Sequence, residues 1–429
     1  MEPIRAHHWL EVLICCGLAS ACSSEQQQPT PDAMTPGQAT FVRSELVRSE
    51  SPQVDANEIN TVVAGNNEFA MELYARLRSD DGNLFFSPYS ISEAMAMAWA
   101  GAAGSAETEI GEVFHFGGQQ ARTHAALNAI NRQLVTEGDQ PVVNIANAMW
   151  IDDERQPGEA FLDVLALNYG SGVGVVDFDD PDNAAAAINA WVAGQTNDLI
   201  ADLLRPVDVS GATAVLTNTV YLKASWLLPF AVADTRDKPF VGLDGNPRTV
   251  PLMSALIPCA YAETDEYQAA ALPFVGVGDE RYEMLFVMPT DFSTFEPTFD
   301  SAQLAQVVEA LQAQDVYMGV PRLELDLSLR LKDQLAAMGM PSAFELGADF
   351  SAVSTPAPGR IRDVVHQATL SLDESGIEAA AATAVIFGDA SIVEHPVPPP
   401  RMELSRPFLI AVRHVTSGTL LFLGRVVTF

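Results

Sequence analysis

Cysteine is nearly absent from this chain of 429 residues. Four occur, and Cys15, Cys16 and Cys22 fall at the extreme N-terminus. Cys259 stands alone in the body, so no internal disulfide can form there, and no Cys-x-x-Cys or Cys/His metal spacing exists. The body must be held by its core. Basic residues are scarce as well: 23 Lys and Arg face 56 Asp and Glu, a formal net charge of -33. That argues against nucleic acid, whose phosphates need cations to neutralise them, and equally against an anionic membrane surface. Acidity on this scale favours solubility and repels acidic partners. No apolar run reaches the roughly 20 residues of a membrane-spanning helix.

The signatures of common enzymes are missing too. There is no G-x-S-x-G elbow, H-E-x-x-H helix, G-x-G-x-x-G turn or Walker loop. Of seven histidines, His7 and His8 lie in the leader, and His115, His124, His395 and His414 stand in no partner motif. His366 sits beside a strand pattern, DVVHQATLSL, where an ordinary buried hydrogen-bond donor is the plain reading. Cys259 shows no sign of an activated thiolate. No catalytic residue, cofactor or metal site is expected.

What the chain has is core. It is 48% hydrophobic and only 18% charged, with Pro and Gly near average, which suits a large globular body. The spacing predicts helices over Ile59–Leu77, over ISEAMAMAWAGAAG from Ile91, and over Ala184–Leu204 with Asn183 as cap. Strands are predicted over Val142–Ile151, Thr213–Trp226, Tyr282–Pro289 and Val316–Leu331. The end, PFLIAVRHVTSGTLLFLGRVVTF, reads as a hairpin around Thr416-Ser417-Gly418. Helices cluster early and strands late, which gives an α+β class with large antiparallel sheets. Residues 57–429 show no linker and no internal repeat, so they are expected to form one domain.

The N-terminus reads as an export signal over residues 1–21. Arg5 precedes a short apolar run, and Ala19-Ser20-Ala21-Cys22 resembles the lipobox of bacterial lipoproteins. The resemblance implies a lipidated Cys22 and a cell-envelope lipoprotein; plain secretion is the alternative. Leu18 stands four residues before the cysteine, where three is usual. Residues 22–56, rich in Ser, Gln, Pro and Thr, read as a flexible tether. The lipid would be the only membrane contact.

One stretch is locally undecided. DESGIEAAAATAVIF, Asp373 to Phe387, joins four alanines, the best helix formers, to a β-branched and aromatic run that prefers strands. Behind it stands HPVPPP. Read with period 2, Ile377, Ala379, Ala381, Thr383, Val385 and Phe387 form a face that a core would accept. Glu378, Ala380, Ala382, Ala384, Ile386 and Gly388 form the other face, small or apolar after its first charge. Twelve such residues make a strand of roughly 40 Å. Gly376 can supply an unusual backbone angle where the segment would pivot.

The body resembles the serpin family along its whole length. The carriers, in order, are NLFFSPYSISEAMAMAWAGAAGSAETEI, NAMWID, VDFDDPDNAAAAINAWVAGQTNDLI, LTNTVYLKASWLLPF, DVVHQATLSLDESGIEAAAATAV and SRPFLIAVRHVTSGTLLFLGRV. The resemblance implies a metastable fold of three β-sheets and about nine helices, with an exposed reactive-centre loop at about 376–400. It implies a single-use inhibitor of serine proteases, with cysteine proteases as a further class. The cut loop inserts into the main sheet and traps the acyl-enzyme. The alternative within the family is a non-inhibitory serpin that acts as substrate or binding protein. The implied hinge comprises Glu374, Gly376, Ile377, Glu378, Ala379, Ala380, Ala381, Ala382 and Thr383. Ile377 stands where Thr or Ser is usual, Ser375 where Glu is common, and Ser405 where Asn or Asp is usual. Counting fourteen residues on from Gly376 implies a reactive bond at Ala390-Ser391, suited to elastase-like or subtilisin-like proteases. Phe387, suited to chymotrypsin-like ones, is the alternative. Ser87, Ser90, Asn218 and His366 match the polar cluster over which the sheet opens, and Trp226 matches the position where the loop first enters. A monomer is the family default.

Overall fold

The apolar runs of the sequence become two large sheets with a helical layer. A computed structural model describes residues 39–134, 142–276, 280–377 and 398–429. These lie in one compact unit that runs to Phe429; residues 1–35 form a separate unit, outside the described residues. The signal and lipidation expectations for 1–21 and Cys22 therefore fall outside them, as do Glu378 to Thr383, Phe387 and the bond Ala390-Ser391.

The main sheet has seven strands: β1 (Thr40–Val42), β2 (Val142–Asp152), β3 (Val173–Val176), β4 (Ala214–Ser225), β5 (Leu323–Arg330), β6 (Val364–Asp373) and β7 (Gly376–Ile377). Their spatial order is β1-β3-β2-β4-β7-β6-β5. A nine-stranded sheet is built around the long strand Pro247–Glu263; the hairpin Phe408–His414 with Leu420–Val426 lies toward one edge, which the short strand Leu84–Phe86 completes. A third sheet pairs Gln156–Pro157 with Ser354–Thr355. The described residues hold ten α-helices, two of them four-residue turns. Five matter below: α1 (Ala56–Leu77), α2 (Pro88–Trp99), α3 (Gln120–Leu134), α4 (Glu159–Tyr169) and α5 (Pro181–Gln195).

The main sheet is covered on both sides, so its central strands are rich in buried apolar residues on both faces, interrupted by the buried polar residues Asn147, Thr217, Asn218 and Thr219. Met149 and Ile151 of β2 and Leu216 of β4 face the large core that contains all of the apolar side chains of α2. Their neighbours Ala148, Trp150 and Val215 face a smaller core with Ala184, Ile188 and Val192 of α5. The side-chain period of 2 sends alternate residues to the two cores.

Three expectations need correction. The helix predicted over Ala184–Leu204 runs only from Pro181 to Gln195. Asp180, not Asn183, is its cap, accepting the Asn183 N–H at 3.3 Å. Asn197 and Asp198 then take left-handed angles, φ 51° and 62°. Packing decides this: Ile200, Leu203 and Leu204 reach the small core as an extended run, and the Asn189 amide holds Leu204 N–H and C=O at 2.9 and 2.8 Å. Second, the strand predicted over Val316–Leu331 is two strands in different sheets, Gln312–Pro321 and β5. Third, the stretch given to a tether over 22–56 is docked from residue 40 onward. β1 pairs with β3, and Phe41 packs against Trp150 and Trp191 at 5.2 and 5.5 Å. Asp55 caps α1 through a reciprocal pair of bonds with Glu58. Residues 22–38 lie outside the described residues.

Candidate functional site: the hinge and the parted strands

The hinge begins inside the main sheet. After β6 the chain turns at Glu374-Ser375, and β7 runs back down between β4 and β6. Gly376 pairs with Asp373 and Ser225, and Ile377 with Leu372 and Ala224. Ile377 is 1% exposed. Its isoleucine side chain is thus a filled core position, which answers the departure noted from the sequence. Gly376 has φ 134°, and a Cβ there would sit 2.1 Å from the Ala224 carbonyl oxygen. No other residue fits.

Three groups fasten the turn. Trp226, stacked on Phe274 at 4.7 Å, donates its indole N–H to the Asp373 carbonyl at 3.1 Å and its backbone N–H to Ser375 at 2.9 Å. The Asp373 carboxylate accepts the Ser375 and Gly376 N–H groups at 2.7 and 3.3 Å. Glu374, 5% exposed, takes Arg322 in a bidentate pair, Nη2 at 2.7 Å and Nε at 3.0 Å, and a bond from the Thr235 hydroxyl. Burial opposes its charge, but Arg322 and Thr235 hold the carboxyl below the usual range. Arg322 is the residue that splits the long predicted strand.

Below β7 the two strands separate and then rejoin. Tyr221 and Leu222 of β4 face Thr369, Leu370 and Ser371 of β6 across a cavity of about 220 Å³, closed above by Ile377. Further down, Leu216 to Val220 pair in parallel with Val364 to Ala368. The cavity is thus the space that β7 would fill if it were longer.

The predicted polar cluster lies under the closed part. Ser87 caps α2, accepting the Ser90 N–H at 3.2 Å, and its own N–H donates to His366 Nε2 at 3.0 Å. His366 Nδ1 bonds the Asn218 oxygen, so β6 and β4 are bridged by a side-chain bond. The Asn218 amide donates to Ser90 Oγ and to the Asn147 oxygen. Burial pushes His366 down to about 3, so the ring is neutral, one nitrogen donating and the other accepting. All four predicted residues meet here, and Trp226 stands at the top of the gap, bonded to the turn above β7. Asn147 and Glu93 belong to the same cluster and were missed. Glu93 had a signal, a single charge in an otherwise apolar helix.

Two groups bear on catalysis. Cys259 is buried, and burial and then Asp315 push its thiol up to about 12, so it stays protonated. His414 bonds Ser417 Oγ at 2.8 Å and Glu280 at 2.5 Å, but Ser417 Oγ also pairs with Thr419 Oγ1 at 2.6 Å inside the hairpin turn.

A family model described as serpin (serine protease inhibitor) matches residues 64–429. The chain belongs to the serpin family. An uncharacterised serpin-like protein of Thermococcus kodakarensis is 33% identical over 373 residues, covering 85% of each chain. The leukocyte elastase inhibitor of Xenopus tropicalis is 30% identical, over 83% of this chain and 96% of its own. Among solved structures, the thermophilic serpin tengpin in its native state superposes with TM-score 0.80 at 23% identity, over 91% of this chain and all of its own. Uncleaved ovalbumin does so with TM-score 0.77, also at 23% identity, over 86% of this chain and all of its own. At that identity the likeness concerns the fold, and it matches the α+β, three-sheet serpin architecture seen here. Serpins are in general protease inhibitors rather than enzymes.

Proposed function

We propose that this serpin is a single-use inhibitor of serine proteases, which traps its target when the cut loop enters the main sheet between β4 and β6. One observation carries the reading: β7 already occupies the top of that gap, above parted strands and a cavity. Insertion is then the extension of a strand that exists. The alternation from Ile377 to Phe387 supplies side chains small enough for both faces. A closed polar cluster below keeps the remaining sheet shut until the loop is free.

The target is a protease with a small, shallow primary pocket, elastase-like or subtilisin-like, cutting at Ala390-Ser391. The small side chain of Ala390 supports this, and so does the likeness to leukocyte elastase inhibitors. Incubation with elastase or subtilisin, followed by a denaturing gel, tests it. A stable complex near the summed masses is expected. Cleaved serpin with no complex would overturn the inhibitory reading and leave a serpin cut as a substrate. Mass spectrometry of the released C-terminal peptide is expected to begin at Ser391.

We also propose that the protein is exported and anchored by lipid at Cys22. Cys22→Ser is expected to move it from the membrane fraction to the soluble one; unchanged fractionation would contradict the anchor.

A further inference from the structure

Glu93 is the only charged residue of α2, and it is 4% exposed. Its carboxylate accepts the Asn131 amide of α3 at 2.8 Å and the Asn147 amide of β2 at 3.0 Å. Asn131 in turn receives Arg48, from the docked N-terminal segment, at 2.8 Å, and Arg48 also bonds Asn128 at 2.8 Å. Arg48 lies outside the residues matched by the family model.

Followed the other way, the bonds form a relay with one direction. The Ser87 N–H donates to His366, His366 to Asn218, Asn218 to Asn147, and Asn147 to Glu93. Every donor points toward the carboxylate. An ionised carboxylate only accepts, so it ends such a relay without conflict. The second bond in this run, His366 to Asn218, is the one that bridges the strands that must part. Its polarity is fixed because Asn218 gives its amide N–H to Asn147, and Asn147 gives its own to Glu93.

We propose that Glu93 is a positioning residue for loop insertion: its ionised carboxylate orients the Asn147–Asn218–His366 relay that holds β4 to β6, and protonation of Glu93 releases it. The proposal rests on the inhibitory reading above and adds a control to the same gap. A protonated Glu93 carries a donor where the relay ends in one, so the Asn147 amide must turn or lose a bond. If it turns, its oxygen leaves Asn218 and Ser90.

The neighbourhood makes this a titration near neutral pH. Burial raises Glu93 to about 7, while Arg48 and the Asn131 and Asn147 amides favour its charge. The other ionisable groups facing it from the surrounding elements stay in one state. Tyr89 of α2 and Tyr169 of α4 are held well above their ordinary value by burial, and His124 of α3 is pushed down to about 4 by burial. Burial lowers Arg48, but a guanidinium stays a cation over this range. Opening the seam breaks the His366–Asn218 bond, which frees the Asn218 and Asn147 amides to turn and so weakens the bond that favours the charged carboxylate. The open sheet therefore binds the proton more tightly than the closed one, and acid favours opening.

The test is the rate of loop insertion after cleavage by excess protease, followed by tryptophan fluorescence from pH 5.5 to 8.5. The wild type is expected to insert about fivefold to tenfold faster at pH 6 than at pH 8, the worth of one ordinary hydrogen bond. Glu93→Gln, which cannot ionise, is expected to be fast and independent of pH. Arg48→Gln is expected to move the inflection to higher pH, because the cation that favours the carboxylate is gone. A Glu93→Gln profile that matches the wild type would overturn the proposal. Should cleavage raise the melting temperature of none of these proteins, the inhibitory reading falls, and Glu93 is judged on the uncleaved chain. There, the protection of the β4–β6 ladder amides, taken relative to the intrinsic exchange rate at each pH, must fall below pH 7 in the wild type and not in Glu93→Gln; identical protection would refute it.

Discussion

The upper and lower halves of the β4–β6 seam are the same pair of strands in two conditions. Above, β7 separates them and a cavity lies beneath it. Below, five residues of each strand are paired, and His366 and Asn218 bridge them. In the upper half the strand contacts are packing, from Ile377, Leu372, Trp226 and a glycine that admits no side chain, and the polar bonds are confined to the turn above β7. The lower half is built from directed hydrogen bonds. Packing accepts a further strand of the same kind, whereas a directed polar network resists until its bonds are exchanged. The seam therefore has a prepared start and a guarded continuation.

The comparison can be broken most severely at Ile377. Ile377→Asp puts an unpaired carboxylate at a fully buried position, at a cost of about 3 kcal/mol or more. The hinge is expected to leave the sheet, and the gel with elastase is expected to show cleaved serpin and no complex. If Ile377→Asp still traps, the start of insertion does not depend on this residue.

Glu374→Ala should have a smaller effect. It strands Arg322 and the Thr235 hydroxyl, but Arg322 is 43% exposed, so solvent takes up part of the loss. A cost of about 2 kcal/mol is expected, read in a body of this size as a fall of about 2 to 3 °C in melting temperature. Because the folded carboxyl lies below its ordinary value of 4.5, its stabilisation is complete above that pH. It fades as pH falls through the lower folded value. The melting temperatures of wild type and Glu374→Ala should therefore converge toward pH 3.

The smallest effect is expected at the far edge of the sheet. Phe41→Ala removes a half-buried ring from Trp150 and Trp191, worth about 1 to 2 kcal/mol. It should lower the melting temperature by a few degrees and leave the complex on the gel intact. Loss of trapping in Phe41→Ala would mean that the edge strand, and not only the seam, governs insertion.

The two halves of the seam also differ in how readable they were. The hinge was legible because its constraints are local. Gly376 needs its angle, and the alternation after it needs only a period of 2. The four polar residues Ser87, Ser90, Asn218 and His366 were placed through the family resemblance; composition gave His366 no more than the role of a buried donor. Glu93 and Asn147 remained hidden: Asn147 looks ordinary in its own element, and Glu93, though a lone charge in its helix, shows no partner there. Their meaning comes from α2, β2 and β4 meeting, which no spacing within one segment reveals. Arg322 was hidden differently: it lies in an alternating run that reads as one strand, and only the divergence of two sheets at Pro321 exposes it. The docked stretch after Thr40 was misread because polar composition suggests a tether, while Phe41, Val42 and Val54 pack it down and Ser44 and Arg48 tie it by hydrogen bonds.

The most direct test of strand insertion is the thermal unfolding of the protein before and after a single cut in the loop between Ile377 and Arg401. If the freed segment continues β7 into the seam, the cleaved protein melts far above the intact one, by 20 °C or more on the order expected for adding a full central strand. A cleaved protein that melts at the same temperature as the intact one would contradict insertion between β4 and β6.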